Sequence, residues 1–138
     1  MRLIWISLPL LALAACATTA QSSQSRADTA QKEATRLTKL LSGFTPGKPQ
    51  SCVTSRDLRG PEAFGETTLI FRAGRNVIYR NETRGSCRGI ARGEVLITQQ
   101  YSSELCAGDI ARTADLRTGF QSGSCVLGDF VPYRRTSK

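Results

Sequence analysis

The segment TTLIFRAGRNVIY, residues 67–79, decides the fold class of this chain. Residues 67–71 and 76–79 are rich in β-branched and aromatic side chains, a composition that favours strands. The RAGR sequence between them is a short connection, in which Gly74 can adopt the positive φ angle of a tight turn. The segment therefore predicts a β-hairpin.

Three further segments continue the β pattern toward the carboxyl end. They are EVLITQQY (residues 94–101), CAGDIAR (residues 106–112) and SCVLGDFVPY (residues 124–133), the last two separated by the polar stretch TADLRTG. Short strands at this spacing predict an all-β domain, either a small sandwich or a partly open barrel of five to six short strands.

The amino-terminal residues have the pattern of an export signal. Met1 and Arg2 precede the uncharged run LIWISLPLLALAA, so residues 1–15 are predicted to be a signal peptide. The run is shorter than the roughly 20 apolar residues of a spanning helix. We therefore expect export without a retained membrane span.

The LAAC sequence, residues 13–16, resembles the lipobox of bacterial lipoproteins. This resemblance implies cleavage before Cys16, lipidation of that cysteine with palmitate, and a periplasm-facing anchor in the cell envelope. Ala17 replaces the aspartate associated with inner-membrane retention, which favours the outer membrane. The alternative is an ordinary cleaved signal that ends by chance at a cysteine.

The segment that follows changes from polar to weakly amphipathic. Residues 16–27 are small and polar and are predicted to form a lipid-anchored tether. In residues 28–49, predicted to be a short helix and linker, apolar residues recur at helical spacing before TPGKP breaks regular structure. The helix is either a spacer packed on its own domain or a docking helix for a partner. Residues 50–133 then form one folded domain, with a basic tail at 134–138.

Four cysteines remain inside the folded domain: Cys52, Cys87, Cys106 and Cys125. A small exported domain typically uses such cysteines as disulfides. A zinc site is the competing interpretation, but its ligands usually come in close pairs, and here the cysteines are at least nineteen positions apart. A hairpin centred between Asp115 and Leu116 would pair Cys106 with Cys125, which leaves Cys52 for Cys87 by elimination.

No residue set in the sequence predicts catalysis. The chain has no histidine, which excludes histidine-dependent triads and histidine metal sites. Asp109 and Asp129 each follow a glycine, and Gly-Asp is either turn chemistry or half of a carboxylate pair. We expect no catalytic residue, metal or cofactor. The alternative is an enzyme that uses these carboxylates together with Tyr101.

Positive charge is the remaining sequence clue. The chain has 19 basic and 11 acidic residues, and arginines are scattered through the domain. Arg84, Arg88 and Arg92 flank Cys87 and are candidates for anion binding, because arginine grips phosphates and carboxylates in a bidentate manner. A solvated basic surface is the alternative. The envelope location argues against nucleic acid as a partner.

The spaced elements SCV, TLIFR, VIYRN, SCRG, LCAGDI and SCVLGDF resemble an uncharacterised family of small bacterial envelope lipoproteins, a domain of unknown function with four cysteines and two Gly-Asp segments. The resemblance covers about residues 51–130 and implies no activity. We therefore predict a non-catalytic, lipid-anchored envelope protein that binds an anionic envelope component or a protein partner. An envelope enzyme using carboxylates or tyrosine is the alternative.

Overall fold

The structure, a computed structural model, describes residues 15–100 and 102–136, with side chains from residue 23 onward. In chain order its helices and strands are α1 (Ala15–Leu41), β1 (Phe44–Pro46), β2 (Cys52–Thr54), β3 (Arg59–Phe64), β4 (Thr68–Ala73), β5 (Val77–Glu82), α2 (Arg88–Ala91), β6 (Val95–Thr98), β7 (Glu104–Cys106), β8 (Ile110–Ala114), β9 (Gln121–Val126) and β10 (Phe130–Arg135). A short 3-10 helix, Ser55–Asp57, links β2 to β3. None of the helices in the described part of the chain has the length and hydropathy of a membrane span.

The strands form three antiparallel sheets, which confirms the predicted all-β class. The main sheet has the order β1-β10-β5-β4-β3, and two smaller sheets have the orders β2-β7 and β6-β8-β9. The described strands do not close into a barrel. The sequence predicted only five to six strands, because three-residue strands such as β2 and β7 are too short to give an alternating pattern.

The predicted hairpin is confirmed and lies at the centre of the main sheet. β4 pairs with β5, and Gly74 in the turn between them has a φ of 78°. Four consecutive residues of β4 are buried, because both faces of the sheet are covered. On one face, Ile70 packs with Phe64 and Ile78 beneath leucines of α1. On the other face, Leu69 and Phe71 join a larger core with residues of the two smaller sheets and α2.

Helix α1 is longer than the predicted helix. It begins at Ala15, so residues 16–27, predicted to be a polar tether, are helical. Leu13 and Ala14 of the LAAC sequence lie outside the described residues, and the backbone of Cys16 lies in the first turn of α1. At the other end, Leu37, Leu40 and Leu41 pack on the main sheet. The leucines of the apolar stripe thus pack on their own domain, as the spacer interpretation expected, whereas Ala30 and Ala34 of the same stripe are exposed.

Two strands, β1 and β10, include residues that were predicted to lie outside the folded domain. Residues 44–46, placed in the linker, form β1 at the edge of the main sheet, where Pro46 can be accommodated because an edge strand has a free side. β1 pairs with β10, which continues through Arg134 and Arg135. The predicted basic tail therefore starts inside a strand.

The cysteines are disulfide-bonded as predicted, but the predicted pairing is wrong. The disulfides join Cys52 to Cys106 and Cys87 to Cys125. The β8–β9 hairpin centres further along the chain than assumed, so its register places Cys125 opposite Ala111. Before β8 the chain turns at Ala107 and Gly108, which leaves Cys106 on β7, directly opposite Cys52.

Candidate anion-binding groove

Four arginines meet at the end of the main sheet that carries the β4–β5 turn. The β3–β4 register places Arg59 directly opposite Arg72, and Arg75 follows in the turn. Arg56 comes from the 3-10 helix that precedes β3. Together with Asp57, Ala73 and Gly74 they line a groove of about 890 Å³, here called the arginine groove.

The arginine groove carries an excess of positive charge. Its lining has four guanidinium groups and one carboxylate, that of Asp57. Glu62 lies outside this lining, and its Oε2 is 3.2 Å from Nη2 of Arg72. The same carboxylate also pairs with Arg36 of α1, so its charge is shared. Like charges directly opposite each other destabilise a sheet, so the facing Arg59 and Arg72 are not explained by strand pairing.

All four arginines of the groove are exposed. Guanidinium groups present planar sets of donors that match phosphate and carboxylate oxygens, and such charge-assisted bonds are stronger than neutral ones. An open groove with this lining can therefore hold an anion, or follow an anionic polymer, without a metal or a cofactor.

A smaller cleft adjoins the arginine groove and shares Asp57 and Ala73 with it. Its volume is about 200 Å³, and Cys52, Tyr79 and Glu104 also line it. Sγ of Cys52, Sγ of Cys106 and a carboxylate oxygen of Glu104 lie within 4.8 Å of one another. Because the two sulfurs form a disulfide, they are not thiolates free to bind a metal.

The three arginines predicted from the sequence lie elsewhere, and two have counter-ions. Nε of Arg88 is 3.2 Å from Oε1 of Glu66, and Nη2 of Arg92 is 3.0 Å from Oε1 of Glu94. The exposed Arg84 forms a backbone bridge with Val126. Arg84, Arg88 and Arg92 therefore stay predicted anion-binding residues, but none of them lines the arginine groove; Arg88 and Arg92 line a separate cavity.

Glu94, the partner of Arg92, is a partly buried acid. Its side chain is 12% exposed, and it accepts a short hydrogen bond from the hydroxyl of Ser122. That bond lowers the pKa of the Glu94 carboxyl, desolvation opposes the change, and Arg92 reinforces it. Glu94 is therefore held in its charged form, which compensates the charge of Arg92.

In the two Gly-Asp segments, Asp109 and Gly128 have roles in the backbone structure. Oδ2 of Asp109 accepts a hydrogen bond of 2.7 Å from the backbone N–H of Cys106, as expected of an aspartate in a turn. Asp129 is exposed. Gly128 is required by close packing, because a Cβ there would overlap the carbonyl oxygen of Glu82. Tyr101, the third residue of the predicted enzyme alternative, lies outside the described residues.

Part of the arginine groove had a sequence signal. Arg72 and Arg75 flank the glycine of the RAGR turn, so the predicted hairpin alone brings them near each other. Arg56 and Arg59 join them only through the pairing of β3 with β4, which the sequence did not predict.

Comparison with protein-family models, with curated proteins and with solved structures finds no match to this chain. The resemblance to an uncharacterised lipoprotein family therefore stays a prediction, and the function is argued below from the residues of this chain.

Proposed function

We propose that this protein is a non-catalytic, lipid-anchored protein of the bacterial envelope that binds an anionic envelope component in the arginine groove. The observation that carries the proposal is the gathering of Arg56, Arg59, Arg72 and Arg75 around one groove with a single lining carboxylate. This arrangement is costly to the sheet and suited to a ligand that brings negative charge.

The anchor and the location rest on the sequence. The LAAC sequence supports lipidation at Cys16, and Ala17 supports the outer membrane rather than the inner one. The anions available there are lipopolysaccharide phosphates, acidic lipid headgroups and peptidoglycan carboxylates. All three offer the oxygen pairs that guanidinium groups bind. The proposal includes no cofactor and no nucleic acid.

Binding measurements with two groups of arginines test the proposal. The purified protein is titrated with lipopolysaccharide, a phosphate source, and with soluble peptidoglycan fragments, a carboxylate source. The groove variant replaces Arg56, Arg59, Arg72 and Arg75 with glutamine. The matched control makes the same change at Arg84, Arg88 and Arg92, and thermal unfolding verifies that both variants fold.

The groove variant is expected to lose at least about tenfold in affinity, since a hydrogen bond to a charged group contributes about 1.5–3 kcal/mol. The control is expected to lose much less, because two of its three arginines already have carboxylate partners. Wild-type binding should weaken as salt rises, since the Debye length falls from about 8 Å at 0.15 M to about 3 Å at 1 M. Equal losses in both variants, or binding that ignores salt, would contradict the assignment to the groove.

An envelope enzyme that uses carboxylates or tyrosine is the second candidate. The observation that favours it is the adjoining cleft, where Asp57 and Glu104 lie with Tyr79. Turnover of peptidoglycan fragments that is abolished in Glu104→Gln, and retained in Asp109→Asn, would support this candidate over the binding protein.

A further inference from the structure

The tip of the β8–β9 hairpin, residues 115–120, exposes two large apolar side chains. Leu116 is 80% exposed and Phe120 is 69% exposed. Two other large apolar side chains in the described part of the chain are exposed, Ile97 and Ile110, and both lie within strands away from the tip. Exposed leucine and phenylalanine at the end of one hairpin mark an interaction surface.

The backbone of the tip is held in a fixed conformation. The N–H of Asp115 donates to the carbonyl of Phe120 at 3.0 Å, and the N–H of Gly119 donates to the carbonyl of Asp115 at 2.8 Å. Oδ1 of Asp115 also accepts from the N–H of Arg117 at 2.7 Å. The two apolar side chains are therefore presented without a large further loss of backbone entropy on binding.

The charges at the tip favour an anionic partner. Arg117 lies between the two apolar residues in sequence and is exposed. The acid of the tip, Asp115, is half-buried and caps the turn. The tip thus presents two apolar side chains and one cation, the combination that suits the boundary between anionic headgroups and acyl chains.

The base of the tip and the middle of α1 both lie close to α2. Thr29 and Glu33 of α1 line a cavity together with Ala91 and Arg92, at the end of α2. From there the chain enters β6, whose first residue, Val95, is paired with Ala114, the last residue of β8 before the tip. Thr29 of α1 and the base of the hairpin tip therefore both lie close to the segment that runs from α2 to β6.

We propose that this tip inserts Leu116 and Phe120 into the interface of an anionic phospholipid bilayer, with Arg117 at the lipid phosphates. The membrane is the one in which the proposed lipid anchor would lie, and the tip proposal rests on that anchor only for the choice of membrane. The surface itself is independent of the arginine groove, so either proposal can fail alone.

Tryptophan fluorescence tests the insertion directly. The one tryptophan of the chain is Trp5, in the predicted signal, so Trp5→Phe gives a background free of tryptophan. On that background, Phe120→Trp places a reporter at the tip. Asn76→Trp places the matched control in the exposed β4–β5 turn, and both reporter proteins carry glutamine in place of the four groove arginines, so that headgroups bound in the arginine groove do not quench the control. Both full-length proteins are reconstituted into phosphatidylglycerol vesicles whose acyl chains carry bromine, a contact quencher.

The tip reporter is expected to shift to shorter wavelength and to be quenched about twofold or more relative to the control, since an interfacial side chain sits about 5–10 Å into the headgroup and acyl boundary. Arg117→Gln should reduce the quenching, and zwitterionic vesicles should do the same. Equal quenching of both reporters would overturn the proposal. A blue shift that depends on protein concentration without vesicles would overturn it in favour of a second copy of the chain.

Discussion

At the scale of single residues, one buried amide connects the main sheet to the loop before β10. Asn81 is fully buried, its Nδ2 donates to the carbonyl of Gly128 at 2.7 Å, and its Oδ1 accepts from the N–H of Gly128 at 3.1 Å. Both backbone groups of Gly128 are thus satisfied by a single side chain. Such a group is costly to remove, because the half-buried backbone of Gly128 loses both hydrogen bonds.

We expect Asn81→Ala to lower the free energy of unfolding by about 2–4 kcal/mol, since each buried backbone group left unsatisfied costs about 1–3 kcal/mol. Urea unfolding followed by circular dichroism measures the change. Asn76→Ala, in an exposed turn, is the control and should stay within about 0.5 kcal/mol of the wild type. A loss no larger than that of the control would show that the amide is not structurally important.

Glu94 predicts a dependence of stability on pH. The hydrogen bond from Ser122 lowers the pKa of Glu94 in the folded protein. A lowered pKa means that the charged form stabilises the fold above the unfolded-state pKa, about 4.3 for glutamate, and that this contribution disappears as pH falls through the folded-state value.

The stability difference between the wild type and Glu94→Gln should therefore be larger at pH 7 than at pH 3. Urea unfolding at both pH values measures it. Glu104→Gln, which neutralises an exposed carboxylate, serves as the control. A difference that is constant from pH 7 to pH 3 would contradict the role assigned to the charged form of Glu94.

At the scale of elements, the sequence predicted what is local and missed what depends on register. The hairpin of residues 67–79 is visible because propensity, alternation and a turn glycine agree. The disulfide pairing failed because the centre of a seven-residue polar connection cannot be located to one residue from composition. A displacement of a few residues was enough to bring Ala111, rather than Cys106, opposite Cys125.

Peptide mapping under non-reducing conditions should recover Cys52 joined to Cys106 and Cys87 joined to Cys125. The chain-entropy treatment gives each bond about 4 kcal/mol, because the loops of 54 and 38 residues differ little on a logarithmic scale. The two disulfides differ in solvent accessibility, since Cys87 and Cys125 are buried whereas Cys52 and Cys106 are half-buried. Mild reductant should therefore open Cys52–Cys106 first. The opposite order would contradict this burial.

Helix α1 predicts a contrast between its two halves. Leu37 and Leu40 pack on Phe64, Ile70 and Ile78, whereas residues 23–32 are exposed. Leu37→Ala combined with Leu40→Ala should lower the stability by about 2–4 kcal/mol, since fully burying one leucine contributes about 1.5–3 kcal/mol and these two are partly buried. Thr29→Ala, in the exposed half, should change little. Equal thermal shifts in both variants would mean that the helix does not stabilise the domain.

At the scale of the whole molecule, the arginine groove and residues 30–37 of α1 lie at opposite ends of β4. The groove surrounds the β4–β5 turn, and α1 passes the β3–β4 turn near Gly65. β4 has six residues and therefore separates the two ends by about 20 Å. Sequence spacing could not reveal this polarity, because scattered arginines gather only once β3, β4 and the 3-10 helix are placed together.

The lipid anchor predicted at Cys16 would orient the two ends of β4 relative to the membrane. Residues 15–29 of α1 have a length of about 22 Å at about 1.5 Å per residue, and the next turn of the helix lies by Gly65. An anchor at Cys16 would therefore connect to the domain at the β3–β4 end, with the arginine groove at the other end of β4. Lipopolysaccharide or lipid headgroups of the anchoring leaflet would then be less accessible to the groove than an anionic polymer such as peptidoglycan.

Intact mass should show that the mature chain begins at an acylated Cys16. Detergent partitioning should place it in the detergent phase, because two or more acyl chains hold a protein durably in a membrane, at about 0.8 kcal/mol per buried methylene, whereas one holds it marginally. Cys16→Ser removes the thiol that accepts the lipid, so its mass should lack the acyl groups and the signal should stay uncut. Wild-type protein that is unmodified, starts at another residue and stays in the aqueous phase would contradict the anchor. Without an anchor, the groove would have no fixed orientation relative to the membrane. The preference for peptidoglycan over lipopolysaccharide that we expect in intact envelopes should then equal the preference measured with the purified protein in solution.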